Sequence, residues 1–116
     1  YDGTVGCILN PEVTYPRSRA PHDVRAAEMY DLFYNRVFLD PLVHGRYPQA
    51  LFTLLAQHQV QWDYTADELA LIADNTVDEL GINLYYPHRV KAPSRAWRRR
   101  SIRRTTTSRL SCPDGE

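Results

Sequence analysis

Two short apolar runs set the folding problem for this chain. Residues 4–9 read TVGCIL and residues 80–86 read LGINLYY, and the stretch between them is either helical in pattern or broken by proline. The first run is partly β-branched and is opened by Gly3, so it reads as a buried strand; the second reads the same way. Strand, long helical crossover, strand is a βαβ order, whose two strands are expected to run parallel. Parallel sheets are buried on both faces. The helices here suffice for one face, so the chain is expected to be a sector of a larger α/β fold.

The crossover divides into three helical segments. NPEVTYPRSRAP, residues 10–21, has three prolines and no period and reads as a loop. Pro21 suits a first helical turn, and Asp23 suits the positive end of the helix dipole. Val24, Ala27, Met29, Leu32, Phe33 and Val37 then recur at near-helical spacing. This helix is expected to end between Arg36 and Leu39, because the residue before Pro41 is biased away from the α region. A second helix is predicted over residues 49–57, with Leu51, Leu54 and Leu55 on one side. Thr65 and Glu68 make a T-x-x-E capping box ahead of ELALIA, so a short third helix is predicted to end near Asn75.

Composition narrows the classes. With 116 residues and 43% hydrophobic content, the chain suits one small domain or a piece of a larger one, and is too apolar for disorder. No apolar run approaches the ~20 residues of a membrane span. The chain starts at Tyr1 with no charged-then-apolar leader, so a cytoplasmic protein is expected. Cys7 and Cys112 lie far apart and read as unpaired thiols. His22, His44, His58 and His88 stand singly, so no metal site is predicted. Nothing in the sequence speaks to oligomeric state.

With the elements placed, the motifs resemble those of glycoside hydrolase family 1. Residues 35–48 carry Asn35, Arg36, Phe38, Leu39, Asp40, Pro41, Leu42, Gly45, Tyr47 and Pro48 of a pattern like N-R-W-F-L-D-P-L-x-x-G-x-Y-P, with Val37 in place of the tryptophan. Residues 78–87 carry Asp78, Leu80, Gly81, Ile82, Asn83, Tyr85 and Pro87 of D-F-L-G-I-N-Y-Y-x-P, departing at Glu79 and Leu84. The resemblance covers most of residues 3–97. It implies a partial (β/α)8 TIM barrel, with residues 4–10 as the fifth strand and residues 80–86 as the sixth. A complete barrel takes about 250 residues.

The same resemblance implies a retaining β-glycosidase acting on β-glucosides or 6-phospho-β-glucosides, without metal or organic cofactor. The PHRVKAP segment after the second strand inclines this toward the 6-phospho type. Such an enzyme needs two carboxylates about 5–5.5 Å apart. In the family the acid/base Glu sits in N-E-P after the fourth strand and the nucleophile in E-N-G after the seventh. Residues 10–12 read N-P-E, in the wrong order and after the wrong strand, and no E-N-G occurs. Glu12 is therefore expected to be a loop carboxylate near the barrel rim. Both catalytic glutamates are expected outside the chain, which should be inactive alone.

Asn83 and Tyr85 remain as site residues. On residue type alone Tyr85 is a strand aromatic packing in a core. The resemblance implies that Tyr85 supports the nucleophilic carboxylate by a hydrogen bond and that Asn83 binds the sugar. Tyr15, Tyr47 and Trp62 read as packing or loop residues, and Asp40 and Asp78 as local turn-formers. Glu79 is costly inside a buried strand unless paired.

Composition changes sharply after Trp97. Residues 1–97 hold 8 basic and 12 acidic residues, net −4; residues 98–116 hold six arginines and two acids, net +4. This Arg-rich tail is expected to be disordered. Clustered arginine could neutralise nucleic-acid phosphates, but no binding module encloses it, and nucleic acid is not the expected partner. For one choice of codons, reading from Arg100 one base out of register gives AFHPPDHYFEAFVPGR. That string resembles what 6-phospho members carry after this strand, which suggests a shifted reading frame. Two other readings stay open: a small helical interaction module, and an Arg-tailed nucleic-acid binder.

Overall fold

The computed structural model describes residues 2–94; Cys112, Trp97 and the Arg-rich tail of residues 98–116 lie outside the described residues. In chain order the elements are β1 (Gly6–Leu9), β2 (Thr14–Pro16), α1 (Pro21–Asp31), a π turn (Leu32–Arg36), α2 (Val37–His44), α3 (Gln49–Gln57), α4 (Ala66–Asp74), β3 (Glu79–Ile82) and β4 (His88–Val90). The two anticipated strands exist and pair in parallel, Gly6 to Glu79 through Leu9 to Ile82. The second is shorter than expected and leaves the ladder after Ile82.

Asp78 locks the start of this ladder. Its Oδ2 accepts from the Val5 N–H at 2.9 Å, and its own N–H donates to the Val5 carbonyl at 2.9 Å. It is thus a cross-strand tie over most of the chain, beyond the local turn role expected of it. Glu79 meets no burial cost, because it is exposed at the mouth of β3.

Three features depart from expectation. First, the loop over residues 10–21 contains β2, which pairs in parallel with β4 from Thr14–His88 to Pro16–Val90. Strands of three residues are too short to show a period. Second, the long helix does not stop before Pro41 but runs to His44 with Pro41 inside it. Third, a π turn joins α1 to α2, with helical backbone at both junctions. Proline's ring crowds the carbonyl four residues earlier, here Val37. There ψ has relaxed to −25°, after −28° at Arg36, against about −42° in a regular helix. Asp40 is consequently mid-helix, bonded to Arg36 Nη2 at 2.7 Å, and is not a turn-former.

Gly45 ends α2 in the left-handed region, at φ 63° and ψ 22°. A Cβ there would lie 2.8 Å from Ala73 Cα, so glycine serves both the backbone turn and the approach of α4. Thr65 and Glu68 form the capping box as predicted, with the Glu68 N–H donating to Thr65 Oγ1 at 3.2 Å and the Thr65 N–H to Glu68 Oε2 at 2.8 Å.

Apolar burial is concentrated at Ala27, Leu32 and Leu51, while Ile8 and Leu71 are 71% and 65% exposed. Each sheet has two strands, and among the described residues neither closes on itself. The fold is a partial α/β unit.

Candidate functional site

The C-terminal ends of β1 and β3 lie side by side. Leu9 faces Ile82, and the Asn83 N–H continues the ladder by donating to the Leu9 carbonyl at 2.9 Å. Asn10 and Asn83 are thus the first residues past paired strand ends. Sequence reasoning singled out Asn83 and passed over Asn10; the signal available was an Asn closing the TVGCIL run. Tyr85 stands two residues beyond Asn83 and is 77% exposed. In this chain it therefore does not pack in a core. A cavity of about 410 Å³ opens beside the β1 end, lined by Ile8, Asn10, Phe33, Tyr34 and Phe38 among others.

Beyond Asn10 the chain is gripped by the helix. Asn35, buried in the π turn, accepts from the Glu12 N–H through Oδ1 at 2.9 Å and donates from Nδ2 to the Glu12 carbonyl at 2.9 Å. The same Nδ2 donates to Asp31 Oδ1 at 2.6 Å, which fixes the amide's orientation. The Glu12 side chain turns into a cluster of rings. Its Oε2 accepts from the Tyr30 hydroxyl at 2.6 Å and lies 2.8 Å from His88 Nε2. The imidazole is close but not aligned for a hydrogen bond, so this contact is one of proximity. Tyr30 stacks on Tyr34 at 5.4 Å and on His88 at 5.7 Å, and Tyr86 packs against His88 at 5.2 Å.

These contacts set the charges. The Tyr30 hydroxyl holds the Glu12 carboxyl below its ordinary 4.5, with Tyr34 and His88 adding to the effect against some desolvation. The reciprocal bond pushes the Tyr30 phenol up to about 12. A general acid for glycoside cleavage needs the opposite shift, upward. The contacts around Glu12 favour its ionised form.

A second engaged carboxylate lies at the start of α1. Asp23 is buried and accepts from Ser18 Oγ at 2.6 Å and from the Ala92 N–H at 2.9 Å. The Ser18 bond above all, then the Ala92 bond, holds its carboxyl below the ordinary 3.8. Tyr47 and Trp62 meet edge to face at 4.8 Å, and Phe52 and Tyr64 complete that cluster, as packing residues should. Tyr15 lies on β2 and is 54% exposed. Among the described residues no group of three His, Cys, Asp or Glu side chains could hold a metal ion, and no helix is long and apolar enough to cross a membrane.

Comparison with known proteins fits this arrangement. The chain is 50% identical over 91 residues to the 6-phospho-beta-glucosidase GmuD of Bacillus subtilis, a match covering 78% of this chain and 20% of GmuD. It superposes on the AHE enzyme of Alicyclobacillus herbarius with TM-score 0.70 and 36% identity, over 83% of this chain and 22% of that one. It superposes on the GH1 beta-glucosidase of Exiguobacterium antarcticum B7 with TM-score 0.69 and 29% identity, over 82% and 21%. The chain therefore spans about a fifth of the length of such proteins. The family model described as Glycosyl hydrolase family 1 matches residues 1–111. This chain belongs to glycosyl hydrolase family 1.

Proposed function

We propose that the chain is the fifth-to-sixth-strand sector of the (β/α)8 barrel of a retaining, cytoplasmic β-glycosidase that hydrolyses 6-phospho-β-glucosides or β-glucosides. The observation that carries this reading is the 50% identity to a 6-phospho-beta-glucosidase. The parallel pairing of β1 with β3 supports it, since a barrel's functional residues follow the C-terminal ends of its strands. In this reading Asn83 binds the sugar. Tyr85 donates its hydroxyl to the nucleophilic carboxylate, which favours the ionised form a nucleophile needs.

The reaction is double displacement through a glycosyl-enzyme, with one carboxylate as nucleophile and the other as acid and then base. Both are supplied from outside this chain. Glu12 is a poor substitute: its Oε2 is engaged by Tyr30 and His88, and its proton affinity is lowered. The chain alone is expected to release no aglycone from an aryl β-glucoside or from its 6-phosphate. Measurable turnover of either would overturn this placement of the carboxylates.

Residues 98–116 are read as a tail distinct from the barrel sector of residues 1–97 and as the product of a shifted frame. The family match extends over part of that tail, to residue 111. Sequencing the coding DNA decides: the idea fails if no alternate frame yields the AFHPPDHYFEAFVPGR-like string.

A further inference from the structure

The span of residues 83–87, which carries Asn83 and Tyr85, has no secondary structure of its own. It is held at its two ends. The Asn83 N–H donates to the Leu9 carbonyl at 2.9 Å, and the His88 N–H donates to the Val13 carbonyl at 2.8 Å. Both anchor carbonyls flank the segment over residues 10–12. The placement of Tyr85 thus depends on where the β1 exit lies relative to β4.

Glu12 controls that distance. Its backbone is pinned on both polar atoms by Asn35, and its side chain reaches across to Tyr30 on α1 and His88 on β4. One residue therefore joins the β1 exit, the helix and β4. We propose that Glu12 is a positioning residue, whose carboxylate, bonded to Tyr30 and packed against His88, holds the β1 exit beside β4 and so fixes the span bearing Asn83 and Tyr85. This rests on the reading of Asn83 and Tyr85 as pocket residues. Glu12 itself need touch no sugar. An ionised carboxylate suits the task because bonds to charged groups are about twice as strong as neutral ones. Pro87 adds stiffness just before the anchored His88, through its fixed φ.

The test is amide hydrogen exchange by NMR on the full chain, comparing the native sequence with Glu12→Ala, Glu12→Gln and Tyr30→Phe. Glu12→Ala is expected to speed exchange at the His88 N–H by roughly tenfold, the size of losing one charge-assisted hydrogen bond. Amide shifts over residues 83–86 should move with it, while the β1–β3 ladder amides keep their rates. Glu12→Gln, which preserves shape and an acceptor, should recover part of the protection. If Glu12→Ala does not fold, Tyr30→Phe decides, because it removes only the donated hydroxyl.

Unchanged exchange at His88, or acceleration of the ladder amides in step with it, would overturn the proposal; the second outcome marks Glu12 as a general stability residue. Exchange is read without substrate. A glycosidase assay that defeats the proposed function therefore leaves the clamp result standing, and a failed clamp leaves the carboxylate placement untouched.

Discussion

Asn83 donates its N–H to the Leu9 carbonyl at 2.9 Å, one step past the last ladder pair, Leu9 with Ile82. That bond carries the parallel register out of the sheet and into the loop where Tyr85 stands. Because the register fixes which residue emerges first from each strand, Asn10 and Asn83 share one end of the sheet, although they lie 73 positions apart in the sequence.

Tyr85 is 77% exposed, so among the described residues it is not held in a packed core. Tyr85→Phe is expected to leave the unfolding free energy, read by urea titration, within about 0.5 kcal/mol of the native chain. Leu51→Ala, at a site 4% exposed, should cost about 2–5 kcal/mol. A large loss from Tyr85→Phe would assign that residue to packing instead.

Gly45 sits at φ 63° with Ala73 Cα 2.8 Å from where a Cβ would be. Gly45→Ala is expected to destabilise by more than the ~1–2 kcal/mol of a left-handed non-glycine residue, because the contact with α4 adds to it. Thermal melting checks this, and Gly45→Asn, better suited to that backbone but larger, should not rescue.

The capping box predicts a smaller, local effect. Thr65→Ala should cost about 1 kcal/mol and lower helix content chiefly in residues 66–74. Amide exchange along α4 reports it, with faster exchange in the first turn.

Acid should weaken the fold through Glu12 and Asp23. Both carboxyls are held below their ordinary values of 4.5 and 3.8, Glu12 mainly by Tyr30 and Asp23 mainly by Ser18. A depressed folded pKa means the unfolded chain binds protons first. The stabilisation is therefore complete above about pH 4.5 and is lost as pH falls through the depressed values. For Tyr30 the sign reverses. Its pKa is raised from 10.0 to about 12, so its contribution is intact below pH 10 and lost as pH rises toward 12. Tyr34 is raised in the same direction, mainly by its bond to Glu12; ultraviolet titration of tyrosinate should show a component near pH 12 that Tyr30→Phe removes.

Much of the fold was legible because it rests on local pattern. The strand candidates, α3 and the Thr65–Glu68 cap follow from apolar runs and from a four-residue motif whose partners are adjacent. What escaped depends on distance. β2 and β4 are three-residue segments, TYP and HRV, that become strands only by pairing with each other. Glu12 reads as a spare loop acid because Tyr30, Asn35 and His88, which give it its role, lie 18, 23 and 76 positions away. Pro41 misled for a different reason: the rule against proline in helices assumes a regular preceding turn, and the turn here is not regular. Asn83 and Tyr85 owe their selection to family motifs, and the structure adds the exposure and the anchored loop that make their role testable.

The π turn over Leu32–Arg36 has a consequence for how this segment tolerates change in length. A widened turn accommodates one surplus residue. Deleting one residue there would restore regular winding with the two halves nearly in phase, whereas winding the same residues regularly would swivel the upstream half by about 100° relative to the rest. Tyr30 would then swing off the carboxylate that it caps, and the bond that raises its pKa would be lost. The bulge thus acts as a phase setter: it dictates which flank of the long rod meets the β1 exit.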